Sequence, residues 1–172
     1  SWVDISIMTK RKLKSLKHSI FNFDLKNGSE VIYGDKDIKS IIPQFEAAKI
    51  PLKDIRVLFF TRLFTLIGSV KLSNIKNGFE SGSEVMFFKN QLAKATLACV
   101  DCLLLFKGQY HSSYRQRVDM VLKLYDFESD EKELFQWAIK EKLSPSSESI
   151  DAQETIRLYH LVEVKFRETM LE

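Results

Sequence analysis

The sequence predicts a mainly α protein: an antiparallel helical bundle preceded by a short β segment. Three observations carry that expectation. From Pro51 onward the apolar residues recur at i, i+3 and i+4 spacings, the period of helices that bury one face. Thirteen Phe stand against six Gly and three Pro, which favours helix packing by large side chains over the tight turns of a β-sandwich. The connections between the periodic stretches are short, so successive helices are expected to run antiparallel.

Taken in order, residues 2–8 alternate and are β-branched, and so predict a strand. The stretch "TKRKLKSLKHSI" has the period of a short basic helix. Asn27-Gly28-Ser29 is a turn signal, Val31-Ile32-Tyr33 a second short strand, and Gly34-Asp35 a turn able to cap a helix starting near Lys36. Pro43 ends that helix. Pro51 opens the next, where its missing N–H costs nothing. Leu52, Ile55, Leu58, Phe59, Leu63, Leu66, Ile67 and Val70 then predict one long helix ending near "NIKNG". A second long helix is expected from about Ser83 to Phe106, with Gly108 in the left-handed position after its last turn. Ser112 or Ser113 can cap a third, carrying Val118, Val121, Leu122 and Tyr125. A fourth spans about Ser129 to Lys142, with Ser129 capping alone because Lys132 cannot complete a capping box. "LSPSSESID" is a polar linker before a last helix from about Ile150 to Met170.

The 172 residues suffice for a core without disulfide staples. Net charge is +3 but unevenly spread: +4 over 1–60, +5 over 61–125 and −6 over 126–172. That asymmetry can steer an anionic ligand, and solvated helix faces also produce it. No Lys/Arg cluster is interleaved with aromatics as on a nucleic-acid surface, so nucleic acid is not an expected partner. Two cysteines make no disulfide framework, which together with the lack of a visible signal peptide predicts a cytoplasmic protein. The most apolar runs are too short to span a bilayer and are broken by Arg62 and Asp101. The chain opens at Ser1 in a strand-like run without an initiator Met, which predicts a preceding N-terminal segment.

Several residues are candidates for chemistry. Asp4 lies between apolar neighbours, where an ionised carboxylate is costly unless it is paired, hydrated or metal-bound; at a strand end it simply faces water. Cys99 and Cys102 form a C-x-x-C without a second pair or a histidine at ligand spacing, and read as buried free thiols. His18 and His160 have no nucleophile at triad spacing and read as ordinary helical histidines. The stretch "FKGQYHSSYRQR", positions 106–117, gathers Lys107, Tyr110, His111, Tyr114, Arg115 and Arg117 at the junction of two core helices. Donors, π-faces and positive charge beside a helix N-terminus suit an anionic, planar ligand such as a nucleotide. The same residues also suit a polar corner between helices.

"VDISIMT", "FDLKNGSEVIYGD", "IPLKDIRVLFFTRLFTLI" and "KNQLAKATLACVDCLLLFKGQYHSSYRQR" together resemble the C-terminal part of a nucleotidyltransferase-fold protein of archaeal or bacterial type. In such proteins a small palm precedes a HEPN-like or kanamycin-nucleotidyltransferase-like helical domain. The resemblance covers Trp2 to about Tyr125. It implies a palm remnant over 1–42 and a helical bundle domain over 43–172. Asp4 matches the family's third palm carboxylate, and the resemblance implies that it binds metal and helps activate an acceptor hydroxyl. Mg²⁺ and NTP are implied for the intact protein, with Lys107, Tyr110, His111, Tyr114 and Arg115 on the ligand side. The family's Gly-Ser turn and D-x-D ligands are missing from this sequence, so the chain by itself is not expected to transfer nucleotides. No Arg is followed by His at four to six residues, so the ribonuclease activity of some HEPN proteins is not expected either. The function expected is a contribution of acceptor or nucleotide binding, or of homodimer contact, to metal-dependent nucleotidyl transfer. The rival is a non-catalytic helical module that binds a nucleotide or a protein. No membrane partner is expected.

Overall fold

A computed structural model describes residues 5–171 of the chain, and the protein is mainly helical. Eight α-helices follow in order among the described residues: α1 (Lys10–Lys14), α2 (Ile20–Gly28), α3 (Lys53–Ile67), α4 (Leu72–Asn77), α5 (Ser83–Phe106), α6 (Tyr114–Leu124), α7 (Ser129–Leu143) and α8 (Ala152–Leu171). Two short 3-10 turns, Lys36–Ile41 and Ala47–Lys49, join α2 to α3.

The long helix α5 is the spine. It carries apolar residues on two faces, and such a helix is stable only when both are covered. Leu92, Ala95, Cys99 and Cys102 face a cluster built with Phe23 of α2, Phe59 and Leu66 of α3, and Leu158, Val162 and Phe166 of α8. Ala93, Leu97, Val100 and Leu104 face a second cluster with Val118 and Val121 of α6 and Phe135 and Ala138 of α7. Each fully buried Leu, Val or Phe contributes about 1.5–3 kcal/mol over its exposed state. The first cluster also holds Phe23 and Ile42 beside Phe45 and Ile50, so residues on both sides of position 42 share it.

Several starts and stops follow the sequence. Asp35 accepts the N–H of Asp37 and opens the 3-10 turn at Lys36. Gly108 takes φ +65° after α5, the left-handed value that glycine adopts without strain. Both cysteines are buried thiols outside any disulfide, and burial pushes the Cys99 thiol up to about 12.

Other expectations are corrected. Residues 2–4, and Asp4 with them, lie outside the described residues; residues 5–8 have no regular secondary structure. Val31-Ile32-Tyr33 form no strand either, and Ile32 and Tyr33 are exposed. β-branched residues favour an extended backbone, but a strand also needs a partner for its N–H and C=O groups, and among the described residues none runs beside these. The long helix from Leu52 stops at Gly68, whose N–H bonds back to the Phe64 carbonyl at 3.0 Å, and α4 follows as a separate element. At α7 the cap is Glu128 rather than Ser129, with the Glu128 N–H donating to Glu131 Oε2 at 3.0 Å.

One pairing outside the helices fastens distant parts of the chain. Phe79 and Ile150 form an isolated antiparallel bridge, with N–H to O=C distances of 2.7 and 3.1 Å. It is reached through Gly78 at φ +77°, where a Cβ would come within 2.3 Å of the Ile150 carbonyl oxygen.

Candidate ligand site

Asp101 sits in the middle of the apolar face of α5, and a lone carboxylate there needs a partner. That partner is Arg117 on the first turns of α6, whose side chain is 3% exposed. One terminal nitrogen of its guanidinium lies 3.1 Å from both Asp101 oxygens. The other lies 2.9 Å from both oxygens of Asp24 on α2. Arg117 Nε donates to the carbonyl of His111, so the flat fork is saturated on all three nitrogens.

Two tyrosines enclose this fork. The guanidinium carbon lies 4.2 Å from the ring centre of Tyr110 and 4.7 Å from that of Tyr114. Tyr110 is buried and donates its hydroxyl to Asp24 Oδ2 at 3.1 Å, while Phe23 meets its ring edge-on. Two carboxylates thus share one cation, Asp101 out of reach of water and Asp24 at the edge, with 36% of its side chain exposed. Burial pushes Asp101 up to about 6 against the pull of Arg117, and the Asp24 charge adds to the rise. Asp24 is raised as well, by burial more than Arg117 and its hydrogen bonds lower it. Burial disfavours the Arg117 charge, but Asp101, Tyr110 and Asp24 outweigh it and hold the guanidinium above its ordinary range.

The cluster forms one wall of a cleft of about 510 Å³. Arg62 of α3, Lys94 of α5 and Lys142 of α7 reach it from three separate helices. Lys142 lies over the Tyr114 ring at 5.7 Å. Its pKa is lowered, first by burial and then by the Lys94 and Arg62 charges. The N-terminal end of α2 borders the same cleft, where Ser19 accepts the Asn22 N–H at 3.0 Å and Asp54 of α3 accepts the Ile20 N–H at 3.1 Å. Positive charge and a half-enclosed volume make the cleft able to hold an anionic group.

The residues singled out from the sequence are divided by the structure. Tyr110 and Tyr114 line the cleft, but their faces are turned to Arg117. Lys107 lies 5.3 Å from the Tyr125 ring. His111 accepts the Ser113 N–H on Nδ1 at 2.9 Å, and Arg115 is exposed; none of these three lines the cleft. Asp4 lies outside the described residues. Among the described residues no three His, Cys, Asp or Glu side chains are grouped to hold a metal ion, and no helix is long and apolar enough to cross a membrane.

Asp24, Arg62, Lys94, Asp101, Arg117 and Lys142 form the cleft without having been candidates for it, apart from Arg117, which belongs to the stretch 106–117. The local signal for Asp101 was its isolation in an apolar helix. No local signal marks Arg62, Lys94 and Lys142, which three different helices bring together. Comparison with known proteins finds no matching family model, curated protein or solved structure.

Proposed function

We propose that the chain is the helical domain of a nucleotidyltransferase-type protein, an antiparallel bundle following the end of a palm, and that its cleft receives the phosphate-bearing part of a nucleotide. The observation that carries this reading is the convergence of Arg62, Lys94 and Lys142 on one half-enclosed cleft. The Lys94 and Arg62 charges add to the cost of the Lys142 charge, and a phosphate group entering beside it relieves that cost. The sequence resemblance supplies the enzyme class. Within this proposal Asp4 is the palm carboxylate, and Mg²⁺ is needed in the intact protein for transfer to a hydroxyl acceptor.

The buried Asp101–Arg117–Asp24 cluster then acts as a brace. It holds α2, α5 and α6 in fixed relation and so keeps the cleft walls apart at ligand width. Calorimetric titration with ATP and with pyrophosphate tests the reading. Lys142→Ala and Arg62→Ala should each weaken both ligands by roughly tenfold, about 1.4 kcal/mol, while Arg115→Ala, outside the cleft, should leave them unchanged. No binding at millimolar ligand, or binding indifferent to Lys142 and Arg62, would sink the proposal. ATP binding retained in the intact protein without Mg²⁺, and unaffected by Asp4→Asn, would favour the non-catalytic nucleotide-binding module instead.

A further inference from the structure

Helix α3 is apolar on the side away from the core as well as toward it. Ile55, Phe59 and Leu66 are buried against α5, while Val57, Phe60, Phe64 and Ile67 leave 66%, 57%, 73% and 60% of their surface bare on the opposite side. A helix hydrophobic all round belongs in an interior. No charged residue interrupts this outer stripe, since the one charge between Val57 and Ile67 is Arg62, which turns into the cleft.

The spacing of the stripe fits a second copy of the chain. Its four residues are separated by three, four and three positions, a sequence of gaps that reads the same in both directions. Two copies of α3 laid antiparallel about a two-fold axis at position 62 therefore place Phe60 against Phe64 of the other copy and Val57 against its Ile67. A self-complementary patch is what a closed two-fold dimer requires. We propose that a second copy of this chain packs on the outer face of α3 in that register.

The available area agrees. A mostly apolar groove of about 390 Å³ runs alongside the stripe, bordered by Leu52, Phe60, Leu63, Phe106 and Met170, with Arg56 the one charged residue in its lining. With aromatic side chains burying about 150–250 Å² each, the stripe and the bare parts of Leu52, Phe106 and Met170 amount to roughly 700 Å² per copy, near the ~800 Å² per partner of a standard interface. Val57 also lines the edge of the cleft, so the contact abuts it; the dimer is read by mass and cross-linking in the absence of nucleotide, and so is tested apart from the reading of the cleft.

Sedimentation velocity of the chain from 1 to 100 μM, as order-of-magnitude loading concentrations for a contact of this size, should show a dimer that dissociates on dilution. Phe64→Glu should make it monomeric throughout and should melt where the wild type melts at concentrations low enough to be monomeric, because Phe64 is exposed in the single chain; Ile32→Glu, exposed elsewhere, should leave the dimer intact. Register is read by cysteine cross-linking. A mixture of Val57→Cys and Ile67→Cys chains should form a disulfide-linked heterodimer. Neither variant alone should cross-link, because like positions are about 15 Å apart along the helix axis at 1.5 Å per residue. A wild-type chain that stays monomeric at the highest concentration overturns the proposal and assigns the stripe to a different partner. So does a dimer that ignores Phe64→Glu, or cross-linking of either variant with itself.

Discussion

At Asp101 a carboxyl group sits where water barely reaches, and its proton is therefore linked to folding. Its folded pKa is pushed up to about 6 from an ordinary 3.8. Between those values the folded chain holds a proton that the unfolded chain has released, so stability falls as pH rises through this window and levels off above it. The loss is roughly 2–3 kcal/mol between pH 4 and pH 6.5. An Asp101→Asn variant lacks this dependence, and urea denaturation of both at the two pH values should show the wild type losing that amount relative to the variant. A difference that does not change with pH would mean that Arg117 outweighs burial. The cost argument raised for Asp4 on sequence applies more strongly to Asp101, which stands between Val100 and Cys102 in a helix buried on both faces. Its partner was not legible, because Arg117 lies 16 positions on and Asp24 a further 93 positions from Arg117 in the other direction. No spacing rule spans such separations.

Helices are the level at which the sequence was most informative, and the reason is visible in α5. Its bounds, Ser83–Phe106, follow from a long apolar period closed by a glycine able to take positive φ. Where an element depended on a partner rather than on its own pattern, the reading failed: residues 31–33 have strand composition and, among the described residues, no neighbouring strand. The break at Gly68 was hidden because the apolar period continues through Val70, past the point where α3 ends. The joint between α2 and α3 shows how elements fix one another. Asp54, in the first turn of α3, accepts the first free N–H of α2 at Ile20. Asp54→Ala should cost about 1 kcal/mol in denaturant unfolding, the usual worth of a helix cap, and should loosen the α2 edge of the cleft. Unchanged hydrogen exchange at Ile20 and Phe21 would mean that Ser19 caps the helix unaided.

For the molecule as a whole, composition and periodicity predicted a helical protein, and the protein is mainly helical. The cleft was legible only in part, since Tyr110 and Tyr114 come from one stretch but Arg62, Lys94 and Lys142 meet through the packing of α3, α5 and α7. The bridge between Phe79 and Ile150 carries a consequence for the order of folding. It closes a loop of 71 residues that contains α5, α6 and α7, and closing a long loop before its contents are compact costs entropy without return. Docking of α4 onto the start of α8 is therefore expected after the folding barrier is crossed. Gly78→Ala drives a Cβ against the Ile150 carbonyl, and it should speed unfolding several-fold while leaving the folding rate nearly unchanged, a φ-value near zero by stopped-flow kinetics. A slowed folding limb would instead put this clasp among the first contacts made. The last part of the chain to close would then be the first to open, and α8, held at its start by this clasp, is where reversible fraying of the native protein should begin.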